Sequence, residues 1–168
     1  ILDRSLSRLK QIDEMFDGRI HTLYSTADTI ESQLKTADAV IGAVLIPGAA
    51  APKLITRAML KLMKKGSVLV DVAIDQGGCF ETSKATTHTD PTYIVDGIIH
   101  YCVANMPAAY SRTATQALTN VTHRYVEMLA NHGLAGACAL APELVGGINT
   151  HNGQLTCPAV GQALGLEW

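Results

Sequence analysis

Apolar residues in this chain follow two alternating rhythms. Short runs rich in β-branched residues give way to stretches whose apolar positions recur at helical spacing. Ile1-Leu2-Asp3 reads as the end of a strand. Residues 4–16 then carry Leu6, Leu9, Ile12 and Met15 at helical spacing and stop at Asp17-Gly18. Residues 20–24 read as a second short strand, and Ser25 or Thr26 can cap a helix that turns Ile30 and Leu34 inward. AVIGAVLI, residues 39–46, is a nearly unbroken apolar run and predicts a central strand, broken by Pro47-Gly48. Residues 56–64 predict a helix with Met59, Leu60 and Met63 on one side, stopped by Lys64-Lys65-Gly66. SVLVDVA, residues 67–73, predicts another buried strand, after which Gly77-Gly78 opens a long polar loop. Residues 92–95 and 100–103 read as further short strands.

The pattern then changes. Residues 113–132 predict one long amphipathic helix with Leu118, Val121, Tyr125, Met128 and Leu129 on one face, ended by Gly133. Pro142 starts a short helix, Asn152-Gly153 predicts a hairpin turn, and Pro158 starts the last helix. A boundary is expected near Met106 to Ala109, giving a nucleotide-type sheet over 1–108 and a helical tail over 109–168 that packs on something else.

Strands alternating with helices predict βα units and a parallel sheet, that is, an α/β, doubly wound fold. Composition agrees. Hydrophobic residues make up 48% of the chain but aromatics only 5%, so the core is built from Ala, Val, Ile and Leu. The net charge of −2, with no basic block, speaks against nucleic acid or an anionic membrane as partner. No run is long and apolar enough to span a bilayer, and no signal peptide is evident. Cys79, Cys102, Cys138 and Cys157 form no metal-type spacing and are expected to be reduced thiols of a cytoplasmic protein. His88, His100, His123, His132 and His151 likewise show no ligand spacing.

In a doubly wound dinucleotide fold, the second strand ends in an acidic residue that takes the ribose hydroxyls of NAD and repels the extra phosphate of NADP. Asp3 stands at that point, although an Asp after an apolar residue is also an ordinary helix cap. With Asp3 ending strand two, the following apolar runs become strands three, four and five. Strand one and its glycine-rich turn are then expected to precede Ile1, so the chain reads as part of a longer one. Ligands of open α/β sheets bind beyond the carboxyl ends of the strands. That directs attention to Asp3, Ser25, residues 44–48, residues 73–78 and Asn105-Met106-Pro107.

At these points the chain resembles the alanine dehydrogenase family. The matching segments are ADAVIGAVLIPGAAAPKLIT, GSVLVDVAIDQGGCFETS, THTDPTYIVDGIIHYCVANMP and TATQALTN. Proton-translocating transhydrogenase is a relative with a similar strand-five segment. Asp75 and the HYCVANMP run favour alanine dehydrogenase, and a transhydrogenase component remains the alternative. The resemblance implies NAD as cofactor, L-alanine or pyruvate and ammonia as substrates, a Rossmann-like domain lacking its first strand and glycine-rich loop, a tail from the substrate domain, and a homo-oligomer, a hexamer in the family.

The resemblance also implies residue roles. Asp3 would hold the adenosine ribose, with Arg8 beside the adenine and Ser25 near it. Val44 and Leu45 would line the cofactor. Val72, Ala73, Ile74 and Asp75 would pass the nicotinamide ribose, and Val103, Ala104, Asn105 and Met106 would reach the nicotinamide. Asp75 would also face the substrate as the catalytic carboxylate. The family's catalytic histidine and carboxylate-binding basic residues lie in a preceding domain, so this chain alone is expected not to turn over. Read without the resemblance, Asp75 caps a turn with Gly77-Gly78, Asn105 holds a turn before Pro107, Arg8 is a solvated helix residue and Ser25 a helix cap.

Three positions depart from the family pattern. Ala108 replaces a glycine, Ala50 replaces a lysine, and Lys84 stands where an arginine would cradle phosphate bidentately. The helix positions that hold a metal in one family member are Met128 and His132 here, so no metal is expected.

Overall fold

The computed structural model describes residues 1–48 and 50–167. It divides into two compact units. The first comprises Ile1–Leu45 and Ala51–Ala104; the second comprises Ile46–Ala50 and Asn105–Trp168.

The first unit is a mixed α/β structure containing two small sheets. Strand β1 (Leu2–Asp3) pairs in parallel with β2 (Leu23–Tyr24), in the register Asp3 to Tyr24. Helix α1 (Leu6–Met15) joins them, with Ser5 as N-cap accepting the Arg8 N–H at 3.3 Å. The second sheet has the order β3 (Ala39–Gly42), β4 (Val68–Asp71), β6 (Ile98–Tyr101) and β5 (Thr92–Val95). The β3–β4 and β4–β6 pairs are parallel; β5 and β6 form an antiparallel hairpin. Its turn is Asp96-Gly97, both at positive φ, a pair suited to a tight hairpin. Arg57 secures Asp96 from outside with Nε at 3.0 Å, which holds the carboxyl below the usual carboxylate range.

Helix α2 (Ala27–Leu34) and a short 3-10 helix (Ala58–Leu62) pack over one face of this sheet. Leu34, Leu60, Met63, Leu69, Phe80 and Ile98 form the core there. Burial alternates along β4 and β6, so Leu69, Asp71, Ile98 and His100 face inward. The opposite face is more open, with Ile41 68% and Ile94 70% exposed. The strands are thus buried on one face only, whereas an all-apolar reading of parallel strands expects both.

Several elements are shorter than the sequence predicts, among them β4, which covers Val68–Asp71 of the expected 67–73. β3 ends at Gly42 because its partner ends at Asp71; the last ladder bond runs from the Val72 N–H to the Gly42 carbonyl at 2.8 Å. Gly42 is also obligatory for packing, since a Cβ there would lie 2.2 Å from Cys79 Sγ. β2 shrinks to Leu23–Tyr24. The helix expected over 56–64 is one 3-10 turn, held between the Ile55–Phe80 bridge and the start of β4.

The second unit is built on α3 (Ser111–Leu140), whose axis is broken at Gly133, at φ 64° and ψ −179°. The break falls where the sequence predicts the helix end. A 3-10 turn (Pro142–Gly147) returns along the helix, and Tyr125 donates to Glu143 Oε1 at 2.8 Å. Strands β7 (Thr150–His151) and β8 (Gln154–Leu155) form the expected hairpin around Asn152-Gly153, and α4 (Pro158–Leu164) follows. Leu118 and Val121 on α3 are 62% and 61% exposed. No helix among the described residues is long and apolar enough to cross a membrane.

Candidate functional site

The carboxyl ends of β3 and β4 carry an open cleft of about 250 Å³. It is lined by Ala43, Val44, Leu45, Val72, Ala73, Asp75 and Gln76. Five of these, Val44, Leu45, Val72, Ala73 and Asp75, are sequence candidates that the fold brings together. Parallel pairing sets the grouping: the Val72 N–H bonds to the Gly42 carbonyl, so residues leaving β3 and β4 emerge side by side.

Asp75 sits in a 3-10 turn (Ile74–Gln76) directly after β4 and is exposed. Gly77 closes the turn in the left-handed region, and the Gly78 N–H returns to the Ala73 carbonyl at 3.0 Å. Two charged residues missed in the sequence hold this loop. Lys53 Nζ reaches the Gly77 carbonyl and, at 2.8 Å, the Gly78 carbonyl. Asp71, fully buried, accepts the Ala73 N–H at 3.0 Å and the Cys79 N–H at 2.9 Å. It also accepts the Ser83 hydroxyl and, at 3.4 Å, the Cys79 thiol. The signal was present: a carboxylate inside the apolar run SVLVDVA must find donors when buried. Gln76 is a further lining residue, and its Oε1 is buried without a hydrogen-bond partner among the described residues.

The other candidates fall elsewhere or act differently. Ile74 is buried, so its side chain serves packing. Val103 is also fully buried, leaving only its backbone available, and Ala104 is exposed beside it. Asp3 and Ser25 lie together at the carboxyl ends of β1 and β2, joined by the Ser25 N–H to the Asp3 carbonyl at 3.0 Å. Asp3 Oδ1 accepts the Ser5 N–H at 2.7 Å, so Asp3 also steadies the start of α1. Thr26, not Ser25, caps α2, accepting the Thr29 N–H at 3.1 Å. Arg8 is exposed on α1, where it reaches Gln11 at 3.3 Å. Lys84 is exposed too, and its backbone N–H donates to the Tyr93 hydroxyl at 2.7 Å.

In the second unit, Asn105 occupies the left-handed region at φ 53° and begins a 3-10 helix (Met106–Tyr110). Met106 is half-buried. Ala108 lies inside that turn, its N–H on the Asn105 carbonyl at 3.0 Å. The alanine that replaces glycine therefore needs no positive φ.

A polar cluster joins the β5–β6 hairpin to the loop that precedes it. Tyr93 stacks on His100 at a centroid distance of 5.0 Å. Its hydroxyl donates to the Thr82 carbonyl at 2.8 Å, and burial pushes the phenol well above its usual range. His100 Nδ1 donates to the Ile98 carbonyl at 3.0 Å, and Nε2 pairs with Thr82 Oγ1 at 2.7 Å.

Comparison with known proteins bears on the same segments. A family described as "Alanine dehydrogenase/PNT, C-terminal domain" matches residues 1–158. The chain is 59% identical over 168 residues to an alanine dehydrogenase of Halomonas elongata, covering all of this chain and 45% of that protein. A solved L-alanine dehydrogenase structure superposes at a TM-score of 0.82 with 46% identity, over 98% of this chain and 45% of the other. A transhydrogenase from Sinorhizobium meliloti superposes at 0.59 with 25% identity, over 94% of this chain and 42% of that one. The chain thus spans under half the length of each.

Proposed function

Because this chain belongs to the alanine dehydrogenase/PNT C-terminal domain family, we propose that it supplies the NAD-binding side of an L-alanine dehydrogenase. The reaction is the reversible oxidation of L-alanine by NAD and water to pyruvate, ammonium and NADH, with release of a proton. The observation that carries this reading is the cleft beyond β3 and β4, where Asp75 stands at the rim of an apolar lining. Such a crevice is where open α/β sheets take their ligands. The transhydrogenase reading has weaker support, in the lower structural similarity.

The residues fit part of a dinucleotide. The cleft would cover one ring-bearing end, against Val44, Leu45 and Val72. Asp3 offers a carboxylate whose Oδ2 is unengaged among the described residues, suited to a ribose diol. Ser25 beside it, Arg8 one helical turn on, and Lys84 would serve the adenosine and phosphate side. The backbone at Val103 and Ala104, with Asn105 and Met106, would reach the nicotinamide. When bound, NAD supplies the hydride acceptor.

Asp75 would do the chain's own chemistry. Its carboxylate favours the positive charge that builds on the substrate nitrogen as Cα is oxidised, and it orients the water that adds to the imine. In this reading residues 1–108 form the C-terminal part of a Rossmann-like, doubly wound NAD domain. Residues 109–168 form the linking helix and the C-terminal part of the substrate domain, within a cytoplasmic homo-oligomer.

The test is NADH formation, followed at 340 nm, by the full-length protein carrying this chain. L-Alanine with NAD should give NADH, and NADP should substitute poorly. No L-alanine-dependent reduction of either nucleotide would overturn the assignment.

A further inference from the structure

We infer that Asp71 is a positioning residue for Asp75, acting from beneath the loop that carries it. The inference rests on the reading that Asp75 faces the substrate.

Among the described residues no side chain anchors Asp75; its place follows from the backbone of residues 73–83. That backbone is organised around one fully buried carboxylate. Asp71 Oδ1 accepts the Ala73 N–H at 3.0 Å and the Cys79 thiol at 3.4 Å. Oδ2 accepts the Cys79 N–H at 2.9 Å and the Ser83 hydroxyl. The four donors come from both sides of Asp75, so the loop is tied at its entry, past its turn and at its exit. Gly78 lets the turn close this tightly, since a Cβ there would lie 2.6 Å from Asp71 Oδ2. Lys53 grips the outer side through the Gly77 and Gly78 carbonyls.

A carboxylate accepts at both oxygens, whereas an amide accepts at one and donates at the other. Asp71→Asn keeps the shape but turns a donor toward either Ala73 and the thiol or Cys79 and Ser83. The loop must then shift to relieve facing donors. Displacement of a reacting group by about 1 Å can cost up to 100-fold in rate. Ser83→Ala is milder, removing one donor and leaving the backbone bonds.

The test uses full-length protein with L-alanine and NAD, comparing wild type, Asp71→Asn, Ser83→Ala, Asp75→Asn and Ser83→Ala/Asp75→Asn. The expected result is a 10- to 100-fold fall in kcat for Asp71→Asn and a smaller fall for Ser83→Ala. KM for L-alanine should change much less. The Ser83→Ala effect should disappear in the Asp75→Asn background, because a displaced carboxylate matters only while the carboxylate is present. If Asp71→Asn does not fold, Ser83→Ala and the double variant carry the test. Loss of activity in Asp75→Asn with unchanged kcat in Ser83→Ala, or equal Ser83→Ala effects in both backgrounds, would overturn the inference alone. A wild-type protein inert toward L-alanine would overturn the proposed function and the inference with it.

Discussion

The Cys79 thiol lies 3.4 Å from the Asp71 carboxylate, both residues fully buried. Burial first, and then the neighbouring negative charge, push the thiol up to about 12 from its ordinary 9.0. A thiol so raised stays protonated and unreactive in the folded protein. Iodoacetamide at pH 8 should therefore spare Cys79 in native protein and modify it only after denaturation, as peptide mass mapping would show. Labelling of Cys79 at the same rate in both states would contradict this.

The same shift has a consequence for alkaline stability. The folded state holds the proton more tightly than the unfolded state. The stabilisation is whole below the unfolded pKa near 9 and declines as pH rises toward the folded value of about 12. Urea midpoints should fall between pH 9 and 11, and a Cys79→Ala variant should show a shallower decline across that range.

Tyr93 anchors the loop after Phe80 from two directions. It donates to the Thr82 carbonyl at 2.8 Å and accepts the Lys84 N–H at 2.7 Å. Tyr93→Phe keeps the stacking on His100 but leaves both backbone groups without this partner. A loss of about 1–3 kcal/mol in urea denaturation is expected. In an alkaline absorbance titration, Tyr93 should ionise well above the usual phenol range, and its replacement should remove that phase.

Removing the charge at position 3 separates two roles. Asp3→Asn can keep an acceptor for the Ser5 N–H, so α1 should remain capped. It removes the negative charge that would oppose a 2′-phosphate. Relative kcat/KM for NAD over NADP should drop about 10-fold, equivalent to about 1.4 kcal/mol. An unchanged ratio would remove Asp3 from the cofactor site.

At position 75 the expected loss is in turnover. Asp75→Asn should lower kcat for L-alanine by about 100- to 1,000-fold, the usual range for removing one electrostatic partner of the transition state. NADH affinity, measured by fluorescence titration, should change little. A variant with full turnover would exclude Asp75 from catalysis.

Local patterns were legible where one residue type decides the geometry. Gly133, Asn152-Gly153 and Pro158 punctuate the chain where the sequence predicts. The cleft was legible in part, because residues just past parallel strands converge by topology. What stayed hidden depends on tertiary pairing. The length of β3 is set by where β4 stops, and the 3-10 form of Ala58–Leu62 by what brackets it. Asp71 and Lys53 act through contacts between segments distant in sequence, such as Lys53 with Gly78, which no periodicity records.

The outer margin of β3 has its own implication. Among the described residues β4 pairs with one side of that strand only, and Ile41 within β3 is 68% exposed. Main-chain groups on an unpaired margin attach to any extended peptide, whatever its side chains. A preparation of these 168 residues alone would therefore be adhesive, with aggregation rising steeply with concentration, and a lysine at position 41 should raise its solubility.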